Sequence, residues 1–136
     1  MQVNAYLNFD GNCEAAFRFY AEALGGTIDA MARHEGTPSS EHVPAEWGAK
    51  ILHASMTVNG TVLMGSDAPP GHYEAPQGFA VSLQAATPEE AERAFQALST
   101  GGTVQMPLQE TFFSTRFGML VDQFHIPWMI NCPPAA

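Results

Sequence analysis

Apolar residues recur along this chain in two rhythms. Short runs with an apolar residue at every second position alternate with two longer runs in which apolar residues return every three or four positions. Val3, Ala5, Leu7 and Phe9 are separated by Asn4, Tyr6 and Asn8, which predicts a strand over 3–9 with one oily face and one face free to line something. Asp10-Gly11-Asn12 turns the chain, and Asn12 is the expected N-cap of a helix. Over 13–24, Cys13, Ala16, Phe17, Tyr20 and Leu24 form one helical stripe, which Gly25-Gly26 ends. Strands are expected over 27–33, 51–58 and 61–66, the last two joined by Asn59-Gly60, a strong hairpin signal. The third strand divides into Leu52, Ala54, Met56, Val58 on one face and Ile51, His53, Ser55, Thr57 on the other. Between the second and third strands, residues 34–50 read as a surface loop with Trp47 folding back as an anchor.

The second half repeats this order. A strand over 79–84 precedes Thr87-Pro88-Glu89-Glu90, a helix start with an N-cap Thr, Pro in the first turn and Glu three residues on. Ala91, Ala94, Phe95 and Leu98 form the buried stripe, and Gly101-Gly102 closes it. Three strands follow, over 104–113, 116–121 and 126–131, broken by Ser114-Thr115 and Asp122-Gln123. Phe19-Tyr20-Ala21 through Gly25-Gly26-Thr27-Ile28 matches Phe95-Gln96-Ala97 through Gly101-Gly102-Thr103-Val104 without a gap. Each half is therefore strand, helix, Gly-Gly and three strands. The fold class is α+β, with two βαβββ modules in a single domain. Module 1 covers about 1–67, a linker about 68–77, and module 2 about 78–134.

Composition narrows the function. A chain of 136 residues with 46% apolar residues can bury a real core. Five Lys and Arg against fourteen Asp and Glu leave a net charge of -9, which disfavours nucleic acid and anionic membrane surfaces. No run approaches a membrane span, and the first residues lack the pattern of a signal peptide, so the expected compartment is the cytoplasm. Cys13 and Cys132 then read as free thiols.

Several segments together resemble the vicinal oxygen chelate superfamily of glyoxalase I, bleomycin resistance proteins and extradiol dioxygenases, and within it the PhnB-like (demethylubiquinone methyltransferase-like) branch. They are Ala5-Tyr6-Leu7-Asn8-Phe9-Asp10-Gly11-Asn12, Leu63-Met64-Gly65-Ser66-Asp67, Met106-Pro107-Leu108-Gln109, Phe117-Gly118-Met119-Leu120 and Trp128-Met129-Ile130-Asn131. His125 departs from the resemblance where the family usually turns on Gly, and Phe113 lies where a Trp is common nearby. The resemblance implies curved mixed sheets around a cavity and a homodimer. It also implies four metal-ligand positions, which fall here on Asn4, Met64, Phe79 and Met129. Neither a thioether nor a phenyl ring suits a hard divalent ion, so no metal and no cofactor are expected.

His53 is the candidate for chemistry. With Ser55 and Thr57 on a polar strand face it could act as acid, base or hydrogen-bond donor, or be a structural histidine satisfied by a carbonyl. His34 and His42 flank a loop with Glu41 and Glu46; they read as solvated residues, with a loop metal site as the weaker alternative. His72 and His125 read as turn residues, as do Asp67 and Asp122. The expected ligand-binding set is Tyr6, Asn8, His53, Ser55, Met64, Phe79, Phe113 and Met129. Two functions are compatible with these residues. One is a protein that binds a small molecule. The other is a lyase, isomerase or dioxygenase acting on a small carbonyl or aromatic compound through a noncanonical metal site or His53.

Overall fold

A computed structural model describes residues 1–134 and divides the chain into two compact units, Met1–Glu74 and Ala75–Ala136. The first unit holds β1 (Ala5–Phe9), α1 (Cys13–Leu24), β2 (Thr27–Arg33), β3 (Ile51–Val58) and β4 (Thr61–Asp67). The second holds β5 (Val81–Gln84), α2 (Pro88–Ser99), β6 (Thr103–Gln109), β7 (Arg116–Val121) and β8 (Pro127–Cys132). Each unit is thus a βαβββ module with a four-stranded mixed sheet. The strand orders are β1-β4-β3-β2 and β5-β8-β7-β6, and the first strand of each module pairs parallel with its last.

In the first module, Leu7, Phe9, Ala54, Met56 and Leu63 are buried together with Ala16, Phe17 and Tyr20 of α1. A Cβ added to Gly65 would meet Phe17 Cε1 at 2.9 Å, so this face of the sheet lies directly under the helix. By strand alternation Tyr6, Asn8, Ser55, Thr57, Met64 and Ser66 occupy the other, helix-free face. The second module repeats the plan. Trp128, Ile130, Cys132 and Leu120 are buried on the side of α2, where a Cβ on Gly118 would meet Phe95 Cε2 at 2.7 Å. Ser82, Gln84, Phe117, Met119, Met129 and Asn131 take the helix-free face.

Each Gly-Gly pair has the same two tasks. Gly25 and Gly101 adopt left-handed φ values of 70° and 73°, which end the helices, while Gly26 and Gly102 bring the chain against the far end of the neighbouring hairpin. The matched positions in sequence are therefore matched positions in space within each module.

Several expectations are corrected. β1 and β5 begin later than predicted, which leaves Val3, Asn4, Phe79 and Ala80 outside the strands. β6 ends at Gln109, so Phe112 and Phe113 sit in the following loop. The predicted alternation of β3 fails at its start: Ile51 is buried and Leu52 exposed, with a register shift between Ala32 and Arg33 on the paired strand. Asn12 makes no capping bond; Asp67 caps instead, accepting from Cys13 N at 2.9 Å. Its second oxygen accepts from Ile51 N at 2.8 Å, so Asp67 joins α1 to β3 rather than merely forming a turn. Thr87 caps α2 as expected, accepting from Glu90 N at 3.1 Å. His125 keeps a left-handed φ of 70° in the turn before β8.

Cys13 lies on the buried stripe. Burial, and then the Asp67 and Glu14 carboxylates, push its thiol far above the ordinary cysteine range. A disulfide reagent near neutral pH should leave Cys13 of the native protein unmodified while labelling it fully after denaturation. Peptide mass spectrometry of the two samples checks this.

Candidate functional site

The polar residues predicted for the first module do meet on one face. Tyr6 is half exposed on β1, and its hydroxyl lies 3.4 Å from His53 Nδ1 on β3, with the two rings 5.9 Å apart. Asn8 and Ser66 pair across the parallel β1–β4 ladder, and Tyr6 pairs with Met64. Met64 in turn stands opposite Ser55. Five of the predicted residues, Tyr6, Asn8, His53, Ser55 and Met64, thus share the helix-free face of one sheet. Thr57, on the same face, donates to Asp29 Oδ2 at 2.6 Å.

The three residues predicted from the second module are not gathered in this way. Met129 is on the helix-free face of β8, but Phe79 is an exposed residue before β5. Phe113 is a half-exposed loop residue that reaches Phe117 on β7 through an edge-on ring contact of 5.1 Å.

Strand pairing sets Tyr6 opposite Met64 and Ser82 opposite Met129, while Asn4 and Phe79, two of the four positions implied for metal ligands, precede β1 and β5. In each module the donor set around the methionine is then one hydroxyl-type oxygen and one thioether. It fits a hard divalent cation poorly, because such ions favour carboxylate and imidazole ligands. Among the described residues, no group of three or more His, Cys, Asp or Glu side chains could hold a metal ion.

The long loop carries a different surprise. It forms two short turns of helix, Pro38–His42 and Ala45–Trp47, and His34 is buried rather than solvated. Thr37 Oγ1 donates to the His34 carbonyl at 2.7 Å. Ser39 Oγ, 2.6 Å away, must therefore donate to Thr37 Oγ1, which leaves Ser39 to accept from His34 Nδ1–H at 3.0 Å. With its Nδ1 proton committed, His34 cannot serve as a base toward Ser39; the chain of bonds fastens the loop. His42 is exposed. Trp47 is the anchor expected of it, with Lys50 Nζ over its ring at 5.7 Å. A crevice of about 440 Å³ opens beside it between the start of α1 and Lys50, and its charges are largely committed to one another: Glu14 to Arg18 and Arg33, Lys50 to the Gly11 carbonyl.

Sequence reasoning overlooked a polar trio on the second sheet. Asn131 Nδ2 donates to Gln84 Oε1 at 2.8 Å, and Gln84 Nε2 donates to Ser82 Oγ at 2.9 Å. The signal was available: Ser82 and Gln84 alternate at a period of two, as do Met129 and Asn131. Also overlooked was a row of three methionines. Met106 pairs with Met119 and Met119 with Met129 across three adjacent strands.

Comparison with known proteins agrees with this architecture. The sequence profile of the Glyoxalase/Bleomycin resistance protein/Dioxygenase superfamily matches residues 2–130. Protein YjdN of Escherichia coli (strain K12) is 34% identical over 142 residues, covering 96% of this chain and 95% of its own. The crystal structure of protein PA1353 from Pseudomonas aeruginosa is 45% identical with a TM-score of 0.90, and 98% of each chain is covered. A Bacillus cereus PhnB protein, described as a putative 3-demethylubiquinone-9 3-methyltransferase, shares the fold at 24% identity, with a TM-score of 0.78 over 97% of this chain and 99% of its own. With matching profile, matching relatives and two βαβββ modules, the chain belongs to the Glyoxalase/Bleomycin resistance protein/Dioxygenase superfamily.

Proposed function

We propose that this protein binds a small organic molecule, without a metal at the superfamily positions, on the helix-free face of its first sheet. The observation that carries the reading is the Tyr6–His53 pair. The hydroxyl and the imidazole nitrogen lie 3.4 Å apart on adjoining parts of an otherwise open sheet face. Asn8, Ser55 and Ser66 add short polar groups, and Met64 an adaptable apolar one. A few polar groups on an apolar floor fix a ligand's orientation, while the apolar contacts supply affinity. The thioethers at Met64 and Met129 support the metal-free part of the reading. The homodimer belongs to the same proposal, as does the cytoplasmic location; no helix among the described residues is long and apolar enough to cross a membrane. Light scattering coupled to size exclusion tests the dimer.

The pair also favours a second reading, acid–base catalysis on a carbonyl or aromatic substrate, since a tyrosine hydroxyl beside an imidazole can relay a proton. One set of variants separates the two. A library of small aromatic and carbonyl compounds is screened by thermal shift, which rises when a ligand binds the native state. For a hit, His53→Ala should weaken binding by roughly tenfold, the worth of one good hydrogen bond with its desolvation, and Tyr6→Phe by somewhat less. Unchanged affinity in both variants would defeat the orienting role. Turnover of a hit, abolished in His53→Ala with little change in affinity, would select the enzymatic reading.

A further inference from the structure

Among the described residues, His53 is the group on the helix-free face of the first sheet that can become positively charged, and no carboxylate is set against it. β1 and β3 contain no Asp or Glu. Asp67 of β4 is buried and accepts from Cys13 N and Ile51 N. Asp29 of β2 takes the Thr57 hydroxyl at 2.6 Å, further along β3. Arg33 pairs with buried Ile51 and is held by Glu14 of α1 at 2.7 Å, so it belongs to the other face. His34, just beyond β2, is bonded to Ser39. The whole chain, by contrast, has fourteen Asp and Glu and a net charge of -9. In so acidic a protein, this imidazole is left without a counter-charge of its own.

Protonation changes what the Tyr6–His53 pair presents. With a neutral imidazole there are two arrangements. Either Tyr6 O–H donates to Nδ1, leaving Nε2–H to donate and the phenol oxygen to accept, or Nδ1–H donates to the phenol oxygen, leaving Tyr6 O–H to donate and Nε2 to accept. Both present one donor and one acceptor. The imidazolium carries a proton on each nitrogen, so Nδ1–H donates to the phenol oxygen, and Tyr6 O–H and Nε2–H are both free donors. Two donors and a positive charge suit the oxygens of a carboxylate. The face is open beside them. Exposed Ala32 stands opposite His53 and exposed Ala30 opposite Ser55, while Met64 lies opposite Tyr6 as an adaptable apolar neighbour.

We propose that the ligand of the first sheet is a small organic acid bound as its carboxylate, with His53 taking up a proton as the anion binds and Tyr6 donating the second hydrogen bond; this rests on the small-molecule reading above and adds the chemical class of the ligand. Proton and anion then bind cooperatively, each strengthening the other by the same free energy. Affinity for the carboxylate is therefore greatest in acid and falls as rising pH deprotonates the imidazole.

Benzoate and benzamide are the probes. They share a ring and a carbonyl and differ in charge. Benzoate stays ionised between about pH 6 and about pH 8, where imidazoles change charge, so any pH dependence in that range belongs to the protein. Titration calorimetry of the full chain should show benzoate binding about tenfold more tightly at the lower pH, with protons drawn from the buffer, and benzamide binding equally at both. His53→Gln keeps an N–H donor but takes up no proton, so the pH dependence should vanish. Tyr6→Phe should weaken benzoate by roughly fivefold and keep the dependence. In NMR spectra of the unmodified protein, the His53 ring signal, recognised by its proximity to the Tyr6 ring, should move toward the protonated position when benzoate is added, so the test survives if His53→Gln fails to fold. Equal benzoate affinity at both pH values, a dependence that persists in His53→Gln, or proton uptake by another of the five histidines overturns the assignment while binding of either probe leaves the small-molecule reading standing. If neither probe binds at millimolar concentration, the carboxylate class is wrong, and the small-molecule reading stands or falls by its own library screen.

Discussion

Replacing Asp122 with Ala should cost about 4 kcal/mol of stability, the larger part of what a domain of this size commonly has to lose. Asp122 is 2% exposed and its carboxylate accepts three bonds. Phe124 N and Ile126 N share Oδ1 at 2.8 and 3.0 Å, and Trp128 Nε1 donates to Oδ2 at 2.9 Å. Alanine would leave three shielded donors without their acceptor, and each such loss carries the full desolvation penalty of the group. Asn at this position keeps both backbone bonds through its oxygen but presents an amide to the indole N–H, so Asp122→Asn should lose roughly half as much. Asp67 is the counterpart in the first module, with one bond on each oxygen. Asp67→Ala should cost about 3 kcal/mol, and Asn should recover less of it there, because the amide must face one of only two donors. Urea unfolding of the four variants reads all of this. Midpoints within a few tenths molar of the parent would show that neither carboxylate holds its module together.

These two aspartates also mark where the sequence stopped being readable. Helical and strand periods, the Asn59-Gly60 hairpin and the Thr87 cap are local signals, and the structure returns them close to where they were expected. Asp67 and Asp122 look like turn formers because their neighbours are polar and turn-prone. Asp122 does form the turn, through Phe124 N and Ile126 N, but its bond to Trp128 Nε1 and the bonds of Asp67 to Cys13 and Ile51 reach other elements. Local pattern cannot report a long-range acceptor. The same limit applies at the site. Strand alternation placed Tyr6, Asn8, Ser55 and Met64 on one face, but β1 and β5 each begin two residues later than predicted, which leaves Asn4 and Phe79 outside the strands. A strand boundary is set by which backbone groups find partners, and that depends on the neighbouring strand. Phe113 was lost for the same reason: its residues suit a strand, but β6 ends at Gln109 and the loop that follows carries it. Buried His34 was misread because a loop rich in Ser, Thr and Gly looks solvated until its hydroxyls are seen closing on one another.

The Gly-Gly repeat that revealed two modules should also prove asymmetric in energy, and Gly102→Ala should be the more damaging change by about 2 kcal/mol. At Gly26 a new Cβ would lie 2.5 Å from Met56 Cε and 2.9 Å from Val58 Cγ2, both ends of side chains, and 3.1 Å from the Thr57 carbonyl. Side-chain ends can rotate away, so Gly26→Ala should cost about 1 kcal/mol. At Gly102 the obstruction is main chain: the Val121 carbonyl oxygen, and the Asp122 Cα and carbonyl carbon at 2.9 and 3.0 Å. No rotamer relieves this, so β6 must separate from the end of β7, and the cost should reach about 3 kcal/mol. The residue pushed is Asp122, whose carboxylate organises the turn into β8. A displaced Asp122 loses its bonds to Phe124, Ile126 and Trp128 in part. Gly102→Ala combined with Asp122→Ala should therefore cost less than the sum of the two, by about 1 kcal/mol or more, because both act on one turn. Gly26→Ala combined with Asp122→Ala, changes in different modules, should add. Additive losses in the first pair, measured from urea midpoints, would mean that the close approach at Gly102 and the Asp122 turn are independent supports.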